Sequence, residues 1–304
     1  MKKQKIIIDT DPGYDDALAI MLAEKSRLFD ILAITTVAGN STIQNTTNNA
    51  RFVLNLIESK TKLWSGANAP LKRKLIKANV HGKNGLDGAT INKEEKLTNN
   101  AVNKIIENII NNPNEVTILM LGPLTNIAQA FVKEPSIIPL IKEIIIMGGA
   151  INAPGNKNRV AEFNIFVDPD AADIVFQADI KKTLIPLDVC NNIFFTLIDF
   201  RRLNDSNLYE IIYEMMKKYI DNIYMFEKIR GAIMYDPVAA YYLINSQAFA
   251  TVEMDIQIET RGKLTRGMTV VDKRVGEGKN KNVSVVQSVD KEKFKEDFFN
   301  ILNS

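Results

Sequence analysis

The 304-residue sequence contains a single cysteine, a single histidine and a single tryptophan. One cysteine, Cys190, excludes an internal disulfide bond and any cysteine cluster that would hold zinc or an iron–sulfur group. An excess of charge is also missing, because 38 Lys and Arg residues face 36 Asp and Glu residues and leave a net charge of +2. This balance gives no reason to expect nucleic acid or an anionic membrane as a partner, so we predict neither.

Long hydrophobic runs are absent as well. The N-terminus begins with basic residues, but the apolar run that follows is far too short for a signal peptide. The most apolar region, residues 137–151, is interrupted by Lys142 and Glu143, so no membrane-spanning helix is expected. Together with the single cysteine, which suits a reducing compartment, these features predict a cytoplasmic protein.

Short β-branched runs alternate with helical patterns along the whole chain. The predicted strands are residues 5–9, 31–37, 116–121, 143–149 and 182–188, with later strands at 252–259, 267–273 and 282–289. The predicted helices are residues 14–25, 41–59, 124–132, 168–178 and about 205–245. Because the strand runs are apolar on both faces, they predict an α/β fold with a mostly parallel central sheet and helices on both faces. We expect one domain over residues 1–304, and the later strands are candidates for an antiparallel edge.

Residues 5–23 place four carboxylates at the end of a predicted strand. Asp9 ends the strand, Asp11 lies in the following turn, and Asp15 and Asp16 fall in the first turn of the next helix. A single Asp there would be a plain helix cap. Four of them, at the sheet edge where ligands bind, indicate a cation site because carboxylates this close repel unless a cation lies between them. Hard oxygen ligands favour calcium or magnesium.

One alternative stays open on these residues alone. "DTD" after an apolar strand also opens the haloacid-dehalogenase-type phosphatases, in which the first Asp is a nucleophile and magnesium assists. That family needs a later acidic pair after a lysine, and the sequence has no such motif.

The longer string "DTDPGYDDALAI", residues 9–20, resembles the signature of the inosine–uridine-preferring nucleoside hydrolases. The resemblance implies hydrolysis of the N-glycosidic bond of ribonucleosides, with nucleoside salvage as the setting and a ribonucleoside as the small-molecule partner. It also implies one calcium ion per subunit, held by the aspartate cluster, and assembly as a homotetramer or homodimer.

Further segments resemble the same family in the same order: "VAGN" (37–40), "HGKNGLDG" (81–88), "LGPLTNIA" (121–128), "IMGGA" (146–150), "GNKNRVAEFNIFVDPDAA" (155–172) and "YDPVAA" (235–240). The resemblance implies a calcium site made by Asp11, Asp16, Asp236 and the backbone carbonyl of Thr125. It implies a substrate site made by Asp15, Asn40, His81, Asn156, Glu162 and Asn164. In an extended segment Glu162 and Asn164 would face the same side, because they are two residues apart.

Two structural expectations accompany these assignments. Gly85 and Gly88 would let the 81–88 loop act as a mobile lid over the pocket. The aromatic helix 219–229 is expected to pack internally, with a wall against the base as its alternative role.

Tyr235 is a departure from the family pattern. In the best-known members a histidine stands at this position and is the proposed acid that protonates a purine leaving group. A tyrosine has a reference pKa near 10, so it keeps its proton at neutral pH and is a weaker acid than imidazolium. We therefore expect Asp11 as general base and Tyr235 beside the leaving group. Three consequences stay open: a preference for pyrimidine nucleosides, protonation of a purine by another group, or low activity on the usual substrates. Two further alternatives are a non-catalytic nucleoside-binding protein that kept only the ribose contacts and a related hydrolase of another ribosyl compound.

Overall fold

An eight-stranded sheet forms the centre of the computed structural model, which describes residues 3–87, 94–204, 206–274 and 281–304. The strands of this sheet are β1 (Gln4–Thr10), β2 (Phe29–Thr36), β3 (Leu63–Ser65), β4 (Val116–Met120), β5 (Glu143–Met147), β6 (Lys182–Ile185), β9 (Phe249–Met254) and β12 (Val283–Val289). Two small antiparallel ribbons pair β7 (Phe194–Phe195) with β8 (Ala232–Ile233) and β10 (Ile256–Ile258) with β11 (Thr269–Val271).

The order across the central sheet is β3-β2-β1-β4-β5-β6-β12-β9. Every neighbouring pair is parallel except the last, in which β9 runs antiparallel to β12. The predicted mostly parallel sheet is therefore confirmed. Of the later strands expected at an antiparallel edge, only β9 lies there, because β12 is parallel to β6, and β10 and β11 pair with each other outside the sheet. Strands from residue 4 to residue 289 share this one sheet, so a single domain over residues 1–304 stays the proposed organisation.

Eleven α-helices lie in the described part of the chain, most of them between strands. They are α1 (Tyr14–Lys25), α2 (Ile43–Leu56), α3 (Ala101–Asn111), α4 (Thr125–Lys133), α5 (Phe163–Val167), α6 (Pro169–Gln177), α7 (Leu187–Cys190), α8 (Leu197–Phe200), α9 (Ser206–Glu227), α10 (Tyr235–Ile244) and α11 (Lys291–Leu302). None of these described helices is both long and apolar enough to cross a membrane.

Alternate residues of β1 build two separate hydrophobic cores. Ile6 and Ile8 pack on one face of the sheet with α1, α10 and α11. Ile7 packs on the other face with α3, α4 and α6. Because side chains alternate across a strand, an isoleucine run covered on both faces is what two helix layers require. The predicted helices on both faces are confirmed.

Three local expectations were wrong. β6 ends at Ile185 rather than at residue 188, because Pro186 offers no backbone N–H to the ladder and α7 begins directly after it. The long helix expected over 205–245 is broken after α9, and β8 separates it from α10. The segment around Glu162 is not extended, since Glu162 caps the N-terminus of the short helix α5.

The carboxyl ends of the parallel strands form the functional edge of the sheet. Strands β1, β2, β4 and β5 end at Thr10, Thr36, Met120 and Met147, and parallel strands bring these ends to one side. The segments that follow them hold the aspartates, the "VAGN" turn, the "LGPL" turn and the 148–164 segment. Ligands bind at this edge in open α/β sheets.

Candidate active site

A cluster of buried carboxylates forms the floor of the site. Asp15 and Asp16 lie in the first turn of α1, and Asp236 lies in the first turn of α10, which packs against α1. One oxygen from each of the three carboxylates lies within 4.8 Å of the others. The structure thus places Asp15 in this group with the predicted ligands Asp16 and Asp236, while Asp11 lies beside it.

Asp11 is fully buried and holds one carboxylate oxygen free of hydrogen bonds. Its Oδ2 accepts from the backbone N–H of Asn40 at 2.6 Å, whereas its Oδ1 has no hydrogen-bond partner. Glycines flank the carboxylate on both sides: a Cβ at Gly122 would lie 2.6 Å from Oδ1, and one at Gly39 would collide with Oδ2. The glycines of the "VAGN" and "LGPL" motifs therefore make the space that Asp11 occupies.

Asp16 is held in place by several donors. Its Oδ1 accepts from the Thr10 hydroxyl at 2.5 Å and from the Asp11 N–H at 3.3 Å. Its Oδ2 accepts from the Gly13 N–H at 2.9 Å and from the Asn40 Nδ2 at 3.1 Å. Asn40 therefore fixes Asp11 through its backbone and Asp16 through its side chain.

The buried carboxylates of the floor can be ionised together only if a cation offsets their negative charge. Burial, and after it the neighbouring Asp16 carboxylate, raises the pKa values of Asp11, Asp15 and Asp236 well above their ordinary range. Within the described residues no lysine or arginine forms an ion pair with these groups, and His81 Nε2 lies 3.9 Å from Asp15 Oδ1. Asp15 Oδ1, like Asp11 Oδ1, is buried without a hydrogen-bond partner. Hard oxygen donors this close, with unused lone pairs, fit a divalent cation such as calcium or magnesium.

Above this floor lies a cavity of about 320 Å³ whose wall includes Glu162 and Asn164. The Glu162 carboxylate accepts from the N–H groups of Asn164, Ile165 and Gly149, at 2.8, 3.1 and 3.2 Å. The Asn164 Nδ2 donates to the Leu121 carbonyl at 2.7 Å. Burial raises the Glu162 pKa to about 7. Both side chains are therefore fixed by backbone contacts before any ligand binds.

His81 forms part of a buried ring stack. Its ring centroid lies 5.9 Å from that of Tyr14 and 5.6 Å from that of Tyr219. Its Nδ1 accepts from the Tyr14 N–H at 3.2 Å, so the neutral ring carries its proton on Nε2, on the side of Asp15. Burial lowers the His81 pKa to about 3. The imidazole is therefore neutral near pH 7 and faces the cavity that it lines.

The remaining predicted residues differ in where they lie. Tyr235 and Asn156 line the cavity, as expected. Thr125 does not; its hydroxyl donates to the Asp168 carboxylate at 2.8 Å. In this motif Leu121 lines the cavity, and its carbonyl oxygen accepts from the Asn164 Nδ2 of the same cavity wall. No residue type marks a backbone carbonyl, so sequence patterns gave no signal for Leu121.

One wall of the cavity comes from α9. Tyr219, Ile223 and Phe226 line it, at the spacing of one helix face. Tyr219 is fully buried while Phe226 is 52% exposed, so the helix both packs internally and forms a wall. The expected lid remains a prediction: Gly85 adopts φ +90°, and Gly88 lies outside the described residues.

Comparisons with known proteins agree with this geometry. The family model of the inosine–uridine preferring nucleoside hydrolases matches residues 6–296. The pyrimidine-specific ribonucleoside hydrolase RihA of Salmonella arizonae is 39% identical over 297 residues, 95% of either chain. The inosine–uridine preferring nucleoside hydrolase of Crithidia fasciculata is 37% identical over 303 residues, 96% of this chain and 95% of that protein. Among solved structures, the plant nucleoside hydrolase PpNRh1 covers 100% of both chains with a TM-score of 0.91 and 29% identity.

Fold, site and relatives together define a hydrolase of N-glycosyl bonds, with ribonucleosides as its substrates. The chain belongs to the inosine–uridine preferring nucleoside hydrolase family. That family depends on a metal, and the carboxylate floor is the place in this chain that fits one.

Proposed function

We propose that this chain hydrolyses pyrimidine ribonucleosides in preference to purine ribonucleosides, using one calcium ion per subunit. One observation carries the proposal. The cavity combines a floor of carboxylates that no lysine or arginine of the described residues neutralises with two side chains, Glu162 and Asn164, that backbone contacts already hold in place. In the reaction, water adds to C1′ of the ribose, the C1′–N bond breaks, and the base leaves with a proton.

Asp11, Asp16 and Asp236 are the proposed side-chain ligands of the ion. Oxygen donors alone favour calcium or magnesium over softer metals. Thr125 remains the predicted source of a carbonyl ligand, but Leu121, which lines the cavity, is the backbone position better placed for that role. When bound, a divalent cation lowers the pKa of a coordinated water and polarises hydroxyl oxygens.

Asp11 is the proposed general base. The Asn40 N–H occupies its Oδ2, which leaves Oδ1 as an unused acceptor inside the site. A base must lie within hydrogen-bond reach of the proton that it takes, and Oδ1 has no competing donor. The negative floor as a whole stabilises the oxocarbenium-like sugar of the transition state.

Asp15, Asn40, Asn156, Glu162 and Asn164 are the proposed ribose ligands. The three N–H groups that contact Glu162 leave part of its acceptor capacity for a ribose hydroxyl. The sugar would thus be held by groups that are already fixed, which lowers the entropic cost of orienting it.

The proposed preference for pyrimidine bases depends on how readily the side chains that line the cavity can protonate the leaving base. Tyr235 carries a weakly acidic phenol, and His81 is neutral because burial lowers its pKa to about 3. Neither group supplies an imidazolium for a purine leaving group at neutral pH. The relative from Salmonella arizonae, whose name states pyrimidine specificity, supports the proposed preference for pyrimidine nucleosides. A cytoplasmic homodimer or homotetramer remains a prediction from the sequence.

The test is base release from uridine, cytidine, inosine and adenosine by metal-stripped protein, with and without added calcium. We expect calcium-dependent release, faster for the pyrimidines. Asp11→Asn should lower kcat on the order of 100- to 10,000-fold. Asp179→Asn, a matched change at an exposed position far from the floor, should leave it unaltered.

Two outcomes would contradict the proposal. Nucleoside binding without turnover would identify a non-catalytic binding protein. Phosphate release from sugar phosphates, with no base release, would favour the magnesium-dependent phosphatase chemistry.

A further inference from the structure

Lys157 is a half-buried cation in the wall of the cavity, next to the proposed ribose ligand Asn156. Its Nζ lies 3.4 Å from the Lys77 carbonyl oxygen and 5.5 Å from the ring centroid of Phe163. The first distance is long for an N–H···O hydrogen bond, and the second is a weak attraction. No described carboxylate lies within ion-pair distance of this ammonium, although the cavity also contains Asp15 and Glu162.

The described part of the chain therefore leaves this charge poorly satisfied. Burial lowers the pKa of Lys157, and no acidic neighbour among the described residues opposes that shift. A buried or half-buried cation is stable when it is paired. A neutral nucleoside brings no charge to pair with it, so the established substrate class does not explain why a lysine stands here.

The position of Lys157 in the cavity points to one part of the substrate. Residues 77–80 form a rim between two walls: the Lys77 carbonyl meets Lys157, and the Val80 carbonyl accepts from Asn222 of α9 at 3.0 Å. Three residues span at most roughly 10 Å, so the Lys77 and Val80 carbonyls lie no further apart than about the length of one nucleoside. The apolar α9 wall suits the base, and the carboxylate floor suits the 2′- and 3′-hydroxyls. The C5′ end of the ribose then points away from α9, towards Lys157.

We propose that Lys157 forms a subsite for an anionic group on C5′ of the ribose, and that nucleoside 5′-monophosphates are a further substrate class. This inference rests on the proposed function, because it uses the same ribose orientation. The chemistry at C1′ is unchanged: water adds to C1′, the C1′–N bond breaks, the base leaves with a proton, and ribose 5-phosphate keeps its phosphate.

A second explanation of Lys157 is that it offsets the negative floor. The contacts argue against this, because the ammonium is directed to the Lys77 carbonyl and the Phe163 ring, on the rim, and forms no ion pair with Asp15 or Glu162. A cation bound among the aspartates would also neutralise the floor directly.

The test compares uridine with uridine 5′-monophosphate in the calcium-loaded full chain, with uracil and ribose 5-phosphate as the products that are measured. The readout is the ratio of kcat/KM for the monophosphate to that for uridine. Lys157→Met keeps the length of the side chain and removes its charge, and we expect the ratio to fall by about tenfold or more, the value of a hydrogen bond to a charged group. Lys157→Arg should retain most of the ratio. Lys77→Met removes a charge from an exposed neighbouring side chain and keeps the backbone carbonyl, so the ratio should be unchanged.

The inference is overturned if the monophosphate is not cleaved, or if Lys157→Met leaves the ratio as it is in the wild type. An equal fall in Lys77→Met would also overturn it, since the effect would then be one of general charge. If no nucleoside is cleaved at all, the proposed function fails instead. Calorimetry of ribose 5-phosphate against ribose, in wild type and Lys157→Met, then decides the Lys157 subsite separately.

Discussion

Replacing Gly122 by alanine tests whether Asp11 Oδ1, the carboxylate oxygen without a hydrogen bond, acts as the general base. A Cβ at Gly122 would lie 2.6 Å from Asp11 Oδ1 and 3.0 Å from Val37 Cγ1, whereas ordinary contact begins at 3.4 Å. The carboxylate must therefore retreat by about 0.8 Å. It cannot do so freely, because its Oδ2 is bound to the Asn40 N–H at 2.6 Å. The backbone of Gly122 does not adopt a positive φ, so alanine adds steric contact without backbone strain.

The size of the effect follows from that displacement. A misplacement of about 1 Å in a reacting group costs on the order of 100-fold in rate, so we expect kcat/KM for uridine to fall by about 10- to 100-fold. Stability should change little, because removing Gly from the unfolded chain offsets part of the strain. The assay is calcium-saturated uridine hydrolysis beside a thermal melt.

Gly231→Ala is the matched control. Its Cβ would lie 2.9 Å from Cδ2 of Phe194, a comparable approach, but that ring is 53% exposed and can turn aside. We expect near-normal activity for this variant. Activity within about threefold of wild type in Gly122→Ala would refute the role of Asp11 Oδ1, since the shift would then have no chemical consequence. Equal losses in both variants would point to general destabilisation.

Three further predictions concern the acids and the thiol. Tyr235→His should raise kcat/KM for inosine by at least about tenfold, because imidazolium is a stronger acid than the tyrosine phenol, and this activity should fall as pH rises through about 6.5. Base release from a panel of nucleosides across pH measures the change, and an unchanged rate for purine nucleosides contradicts the prediction. Burial raises the Glu162 pKa from 4.5 to about 7, so its contribution to stability is fully present below pH 4.5, and about 3 kcal/mol is lost as pH rises through 7. Urea unfolding of metal-free protein between pH 4.5 and 8 should show a shallower decline in Glu162→Gln. Burial also raises the pKa of the Cys190 thiol, so thiol reagents should modify it only after unfolding, and reaction in the native state would show that it is accessible.

The strands of the fold were largely predictable, and several other elements were not. Short, continuous, β-branched apolar runs such as "KIIID" and "EIIIM" are typical of strands covered on both faces, and β1 and β5 begin within one residue of the expected positions. Helix α3 was not predicted, although its isoleucines recur at helical spacing, and α11 was also missed. The break before α10 depends on a two-strand ribbon whose partner, β7, lies far back in the sequence. Such pairing is tertiary and leaves no local pattern.

The candidate site divides along a similar line. Asp11 and Asn40 could be placed in one site because they follow the ends of parallel strands, which meet at one edge of the sheet. Asp236 begins α10 after the antiparallel ribbon strand β8, so only the family resemblance indicated its place. A backbone carbonyl, such as that of Leu121, which we propose as a ligand, carries no residue signature. The surroundings of Lys157 depend on a rim loop more than 70 residues earlier, so its exposure to the cavity could only be seen in three dimensions.

Burying several ionised aspartates costs folding free energy, and this cost is why the cluster indicates a cation site. Asp9, Asp11, Asp15 and Asp16 are all buried, and helix capping accounts for only part of their contacts. Burial raises the pKa of each of them, so an ionised cluster opposes folding until a cation binds. A ligand that binds only the folded state returns that free energy in proportion to its affinity. A chain with such a cluster is therefore less stable without a cation than with one, and the cavity that contains Asp15 and Asp236 also contains Glu162 and Asn164, the proposed ribose ligands.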